Sequence, residues 1–142
     1  MIVSEILKKK KIRTVTMHPG DSIETAMHMF MDEKIGSIMV CGPRGDLLGM
    51  VTERDVMHGM ATHGIEVLQN PVKDVMSYAH TCTSDDKVKD IMRQMTLKHV
   101  RHVPVIDDDK IIGLVSIGDL LRNQLDETQL EVDTLRDYAR AH

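Results

Sequence analysis

The sequence predicts a mixed α/β (α+β) fold: two tandem strand–helix–strand–strand–helix units packed pseudo-symmetrically, followed by a C-terminal helix. Two observations carry this expectation. The phrase Gly49-Met50-Val51-Thr52-Glu53-Arg54-Asp55 recurs sixty-four residues later as Gly113-Leu114-Val115-Ser116-Ile117-Gly118-Asp119. Ile23, Ala26, Met27 and Phe30 repeat their helical spacing in Val88, Ile91, Met92 and Met95, so each copy carries one apolar helix face. A duplicated chain raises the question of what two similar half-domains build between them.

Each element follows in order. A short strand is expected near Thr14–Thr16 and near His80–Cys82. The polar clusters Asp21-Ser22 and Ser84-Asp85-Asp86 then read as caps of the amphipathic helices. Two apolar strands come next, Ser37–Cys41 with Leu47–Val51 and His102–Ile106 with Ile111–Val115. Turn-forming residues 42–46 and 107–110 make each pair a hairpin. A second helix starts at Thr52 or Ser116. The division is 1–68 for the first copy, 69–125 for the second and 126–142 for a helical tail. One copy alone has a thin core, so the halves are expected to pack on each other.

Composition narrows the function. Of 142 residues, 42% are hydrophobic and 28% charged, as in a soluble globular chain. No apolar run approaches the ~20 residues of a membrane span, and the start Met1-Ile2-Val3-Ser4-Glu5 does not read as a signal peptide. Cys41 and Cys82 lack paired spacing and are expected to be reduced core residues of a cytoplasmic protein. A net charge of −4 argues against nucleic acid as a partner, because phosphate neutralisation needs a basic face. Aromatics at 2% leave no base-stacking platform. Catalytic signatures are missing too: no GxGxxG, no Walker A run, no HExxH and no nucleophile elbow. His99-x-x-His102 lacks companion ligands at metal spacing. The expectation is therefore a non-enzymatic protein without a metal.

The repeated phrase has two compatible readings. Thr52-x-x-Asp55 and Ser116-x-x-Asp119 have the form of capping boxes, with acid in the first helical turn. The same geometry makes an anion site, because free N–H groups and a hydroxyl at a helix start suit phosphate. An aspartate one turn on can accept from vicinal ribose hydroxyls. The glycine ahead of each phrase lets another backbone come close. Arg54, Arg101 and His102 are the candidate cations for a phosphate, while the run Lys8–Lys11 with Arg13 reads as a solvated linker.

These residues, with Arg101-His102-Val103-Pro104-Val105, resemble the cystathionine β-synthase (CBS) domain. Two copies resemble a CBS pair, or Bateman module, over about residues 1–125, as in small stand-alone bacterial CBS proteins. The resemblance implies a cleft for an adenosyl ligand: AMP foremost, with ADP, ATP, NAD or S-adenosylmethionine as alternatives. It implies that Asp55 and Asp119 hold ribose hydroxyls and that Thr52 and Ser116 contact phosphate or ribose. Arg101 and His102, with Val103 beside them, match the stretch that contacts phosphate. Gly36 and Ser37 occupy that place in copy one, so the two sites should differ and the first should rely on Arg54 for charge. Thr14, Val15, His80 and Thr81 would lie near the adenine.

In the tail, Leu121, Leu125, Thr128, Val132, Leu135 and Ala139 form a heptad-like seam. It suits packing along the chain's own core or a dimer contact, and a homodimer is the expectation. The leading reading is a regulatory sensor acting on an unidentified protein. The competing one is an interaction module that dimerises without a physiological nucleotide.

Overall fold

The computed structural model describes residues 1–9 and 14–141. Lys8 and Lys9 close a short N-terminal helix, α1 (Val3–Lys9). Lys10, Lys11 and Arg13 of the basic run lie outside the described residues. The first copy continues as β1 (Thr16–Met17), α2 (Ile23–Glu33), β2 (Ser37–Cys41), β3 (Leu47–Thr52) and α3 (Glu53–His63). Two 3₁₀ turns, Ile65–Gln69 and Val72–Asp74, lead to the second copy: α4 (Val88–Lys98), β4 (His102–Asp107), β5 (Lys110–Ser116) and α5 (Ile117–Ala141).

The two copies have the same local plan. In the first, β1 runs parallel to β2, with Met17 opposite Val40, and β2 pairs antiparallel with β3. In the second, β4 and β5 form the antiparallel pair, and Cys82 makes a single parallel bridge to Val105. Cys82 and Val105 stand sixty-five residues after Met17 and Val40. The expected strand His80–Cys82 is thus reduced to one bridge, and the expected strand Thr14–Thr16 lies at Thr16–Met17. The hairpin β4–β5 turns through Asp108 and Asp109, both at positive φ, as a two-residue type I′ turn requires.

Capping follows the sequence for α2, where the Ser22 hydroxyl accepts from the Thr25 amide. It does not for α4. The N-cap there is Lys87, whose side chain has no acceptor, where α2 has Ser22; Asp86 turns its carboxylate back to the Thr83 amide as Asp21 does to the His18 amide. Neighbouring Ser84 binds Asp107 at the end of β4 through both its amide and its hydroxyl. These two bonds hold the Asp107 carboxyl below the usual carboxylate range.

Three apolar clusters make the core. One gathers Met17, Ile23, Ala26, Phe30, Ile38, Val40, Val51 and Val56 with Val67 and Val72 of the 3₁₀ turns. The second gathers Val88, Ile91, Met95, Val103, Val105, Val115 and Leu120 with Val3 and Ile6 of α1. The N-terminal helix therefore belongs by packing to the second core, tied there by the Val3 amide to Asp86 and by the Val88 amide to Met1. The third cluster joins the halves: Met39, Cys41 and Met50 meet Ala79, with Ile111 and Leu114 packed against them. Strand β2 is consequently buried on both faces, Ile38 and Val40 toward its own core and Met39 and Cys41 toward the other copy. Cys41 and Cys82 are buried free thiols in different clusters. No helix among the described residues is long and apolar enough to cross a membrane.

Candidate functional site

Both repeated phrases end a strand and begin a helix, and both form the reciprocal capping box. Thr52 Oγ1 accepts from the Asp55 amide at 3.1 Å, and Asp55 Oδ2 accepts from the Thr52 amide at 2.9 Å. Ser116 Oγ and Asp119 Oδ2 repeat this with the Asp119 and Ser116 amides at 3.1 and 2.9 Å. Each carboxylate is thereby fixed at a helix start, where the helix dipole favours negative charge. The second oxygen differs between copies. Asp55 Oδ1 accepts from the Ser77 hydroxyl at 2.9 Å. Asp119 Oδ1 accepts from Arg122 Nη2 at 2.7 Å, an ion pair between a largely buried acid and an exposed base.

Each carboxylate lines a cleft whose opposite wall comes largely from the other copy. The first cleft, of about 550 Å³, holds Thr52, Glu53, Arg54 and Asp55 of copy one. Facing them, from copy two, are Ser77, Tyr78, Ala79 and His80 of its opening segment and His99, Val100, Arg101 and His102 at the start of β4. The second cleft, of about 310 Å³, holds Gly113, Ser116, Asp119 and Arg122 of copy two. Facing them are Thr14, Val15, Lys34, Ile35, Gly36 and Ser37 of copy one. Both volumes fall in the range of small-molecule sites. Gly36 and His102 line both clefts, which places the two openings side by side.

This exchange changes the expected distribution of charge. Arg101 and His102 stand in the cleft of Asp55, so that site does not depend on Arg54 alone. Gly36 and Ser37 stand with Asp119, where Lys34 and Arg122 supply the positive charge. Ser37 is 3% exposed, and its hydroxyl has no hydrogen-bond partner among the described residues. A buried polar atom without a partner is uncommon. Ser37 lines the second cleft.

Most residues singled out from the sequence meet in one cleft or the other: Thr14, Val15, Gly36, Ser37, Thr52, Arg54, Asp55, His80, Arg101, His102, Ser116 and Asp119. Two do not. Thr81 is exposed and lines neither cleft, and Val103 is buried in the second core. At the sixty-five-residue offset the partners of Thr14 and Val15 are Ala79 and His80, and these line the first cleft. Sequence reading also passed over Lys34 and His99. They correspond at the same offset, and each is the left-handed C-cap of the helix that leads to a cleft wall. That shared position just before Gly36 and Arg101 was the available signal. Ser77, Tyr78 and Arg122 had none, because none belongs to a repeated motif. Among the described residues no cluster of His, Cys, Asp and Glu could hold a metal ion.

The family model of the CBS domain matches residues 3–62 and again residues 72–126. The chain belongs to the CBS-domain family. Its two copies are a CBS pair, and the pairing is seen in solved relatives. A CBS-domain protein from Agrobacterium tumefaciens is 32% identical with a TM-score of 0.84, covering 87% of this chain and 99% of that one. A CBS-domain protein from Pyrobaculum aerophilum, described as complexed with AMP, is 20% identical with a TM-score of 0.75, and shares the fold over 84% of this chain and 89% of that one. Among curated sequences, the mitochondrial CBS domain-containing protein CBSX3 of Arabidopsis thaliana is 32% identical over 123 residues, or 83% of this chain. The chain spans 60% of that protein's length.

Proposed function

We propose that this CBS pair is a non-enzymatic regulatory module whose clefts bind an adenosyl ligand, AMP foremost, with ADP, ATP, NAD or S-adenosylmethionine as alternatives. One observation carries the reading. In each cleft a carboxylate fixed by a capping box faces a wall built from the other copy. Asp55 and Asp119 would accept from the vicinal hydroxyls of a ribose, and the helix-start hydroxyls and amides would receive phosphate or ribose oxygens. In the first cleft Arg54 and Arg101 offset Glu53 and Asp55, and an arginine can grip a phosphate through two parallel hydrogen bonds. In the second, Lys34 and Arg122 outnumber Asp119. A ligand seated this way touches both copies, so its affinity depends on their relative position. Ligand binding can bias that position only to the extent that it binds one arrangement more tightly. An unidentified regulated protein would read the bias. The AMP complex of the Pyrobaculum relative supports the ligand class, and buried free cysteines fit a cytoplasmic setting.

The test is equilibrium binding of AMP to the wild-type chain and to the double variant Asp55→Ala plus Asp119→Ala. The expected result is loss of binding in a variant that remains folded, at a stability cost of ~1 kcal/mol per lost cap. Wild-type protein, freed of co-purified nucleotide, that binds no adenosyl ligand would favour the competing reading, in which the motifs serve only as caps.

A further inference from the structure

The C-terminal half of α5 lies beyond the family match, which stops at residue 126, while α5 runs to Ala141. Its first turns seat one face on the body: Leu120 is 0% exposed and Asn123 5%. The seam lies on a different face. Leu121 is 46% exposed, Leu125 68%, Val132 41% and Leu135 68%, so nothing in the chain's own core covers it. Self-packing of the tail, one of the two options left open by the spacing, does not occur.

We infer that this seam is the contact for a second copy of the chain, joined as a short parallel two-stranded coiled coil. The spacing 4, 3, 4, 3, 4 sets Leu125, Val132 and Ala139 at one core position and Leu121, Thr128 and Leu135 at the other. Val132 ahead of Leu135 is the β-branched-then-leucine order that favours two parallel strands. The flanking charges select the direction. Glu131 and Arg136 sit at the positions beside the seam that face each other between parallel helices, giving two symmetric attractive pairs. Antiparallel pairing would instead set Glu131 against Glu131 of the second copy and Arg136 against Arg122. Asp126, Asp133 and Asp137 point away from the seam, as a solvated outer face requires. With fewer than three heptads the association is weak and concentration-dependent.

Sedimentation equilibrium of the full chain over a wide concentration range tests this. The expected result is a monomer–dimer equilibrium that Leu125→Asp plus Leu135→Asp abolishes while far-UV circular dichroism stays close to wild type. Arg136→Glu alone should weaken the dimer about fivefold, and adding Glu131→Arg should restore it. A chain that remains monomeric throughout overturns the inference, as does a dimer indifferent to the leucine changes. A dimer strengthened by Arg136→Glu overturns the parallel direction.

Discussion

At the residue scale, the two aspartates are each fixed by a reciprocal capping box at a cleft wall. Each spends one oxygen on its own helix start and keeps the other for a partner: Ser77 for Asp55, Arg122 for Asp119. Ser37 is the complementary case, a buried hydroxyl that no group among the described residues satisfies. Ser37→Ala should leave stability unchanged or raise it by up to ~1 kcal/mol, since no hydrogen bond is lost, and should weaken adenosyl binding in the second cleft. Chemical denaturation and ligand titration of the variant measure both; a clear destabilisation would mean that the hydroxyl is bonded. Cys82 makes a pH-dependent contribution. Burial, then the charges of Asp86 and Asp107, push its thiol up to about 12. A pKa raised by folding contributes stability that is complete below the ordinary thiol range and is lost as pH rises through the folded value. Relative to Cys82→Ala, the wild type should therefore lose stability progressively above pH ~8.5. Parallel pH dependences for the two proteins would contradict this.

At the element scale, the crossings over the two phrase glycines matter most. The opening segment of the second copy passes over β3 at Gly49, where Met50 and Ser77 exchange backbone hydrogen bonds. A Cβ at Gly49 would stand 2.8 Å from the Ser77 carbonyl oxygen, so the backbone that presents Ser77 to Asp55 would have to move. At Gly113 the Cβ would meet Leu7 Cδ2 at 2.7 Å, the end of a flexible side chain on α1. Gly49→Ala should therefore cost ~1–3 kcal/mol, and Gly113→Ala less. Urea unfolding of the two variants gives the order, and the reverse order would contradict the crossing. The close approach was legible in the sequence because the glycine recurs at the same place in both phrases. What approaches was not, since each crossing comes from the opening segment of the other copy: Met76 and Ser77 over Gly49, Leu7 of α1 over Gly113. Helix α1 has only seven residues, and its Val3, Ile6 and Leu7 are too few to announce a helix whose partner lies some eighty residues on. The amphipathic helices and the hairpins were legible because periodicity and turn chemistry are local. The cap of α4 was misread because the N-cap position falls on Lys87, one residue past the polar cluster, where copy one has Ser22.

At the scale of the whole molecule, the two copies are joined by a sheet face buried against its counterpart, and the clefts open where that seam reaches the surface. The duplication announced two sites, but the exchange of walls between them could not be read from the chain. Each site takes its carboxylate from one copy and its opposite wall from the other, a consequence of how the halves face one another. That is why Arg101 lines the Asp55 cleft, why His102 reaches both clefts and why the two carry different charge. A ligand seated in either cleft would bridge the halves, the property on which the proposed regulatory role depends. The most direct measurement is thermal unfolding of nucleotide-free protein against AMP, ADP, ATP, NAD, S-adenosylmethionine and GTP. A ligand present at about 100 times its dissociation constant should stabilise the fold by ~2.7 kcal/mol, a shift of several degrees for a chain of this size. The predicted result is a rise with one or more adenosyl ligands, none with GTP, and none with any of them once both Asp55 and Asp119 are alanine. No shift with any adenosyl ligand, or an equal shift with GTP, would contradict it.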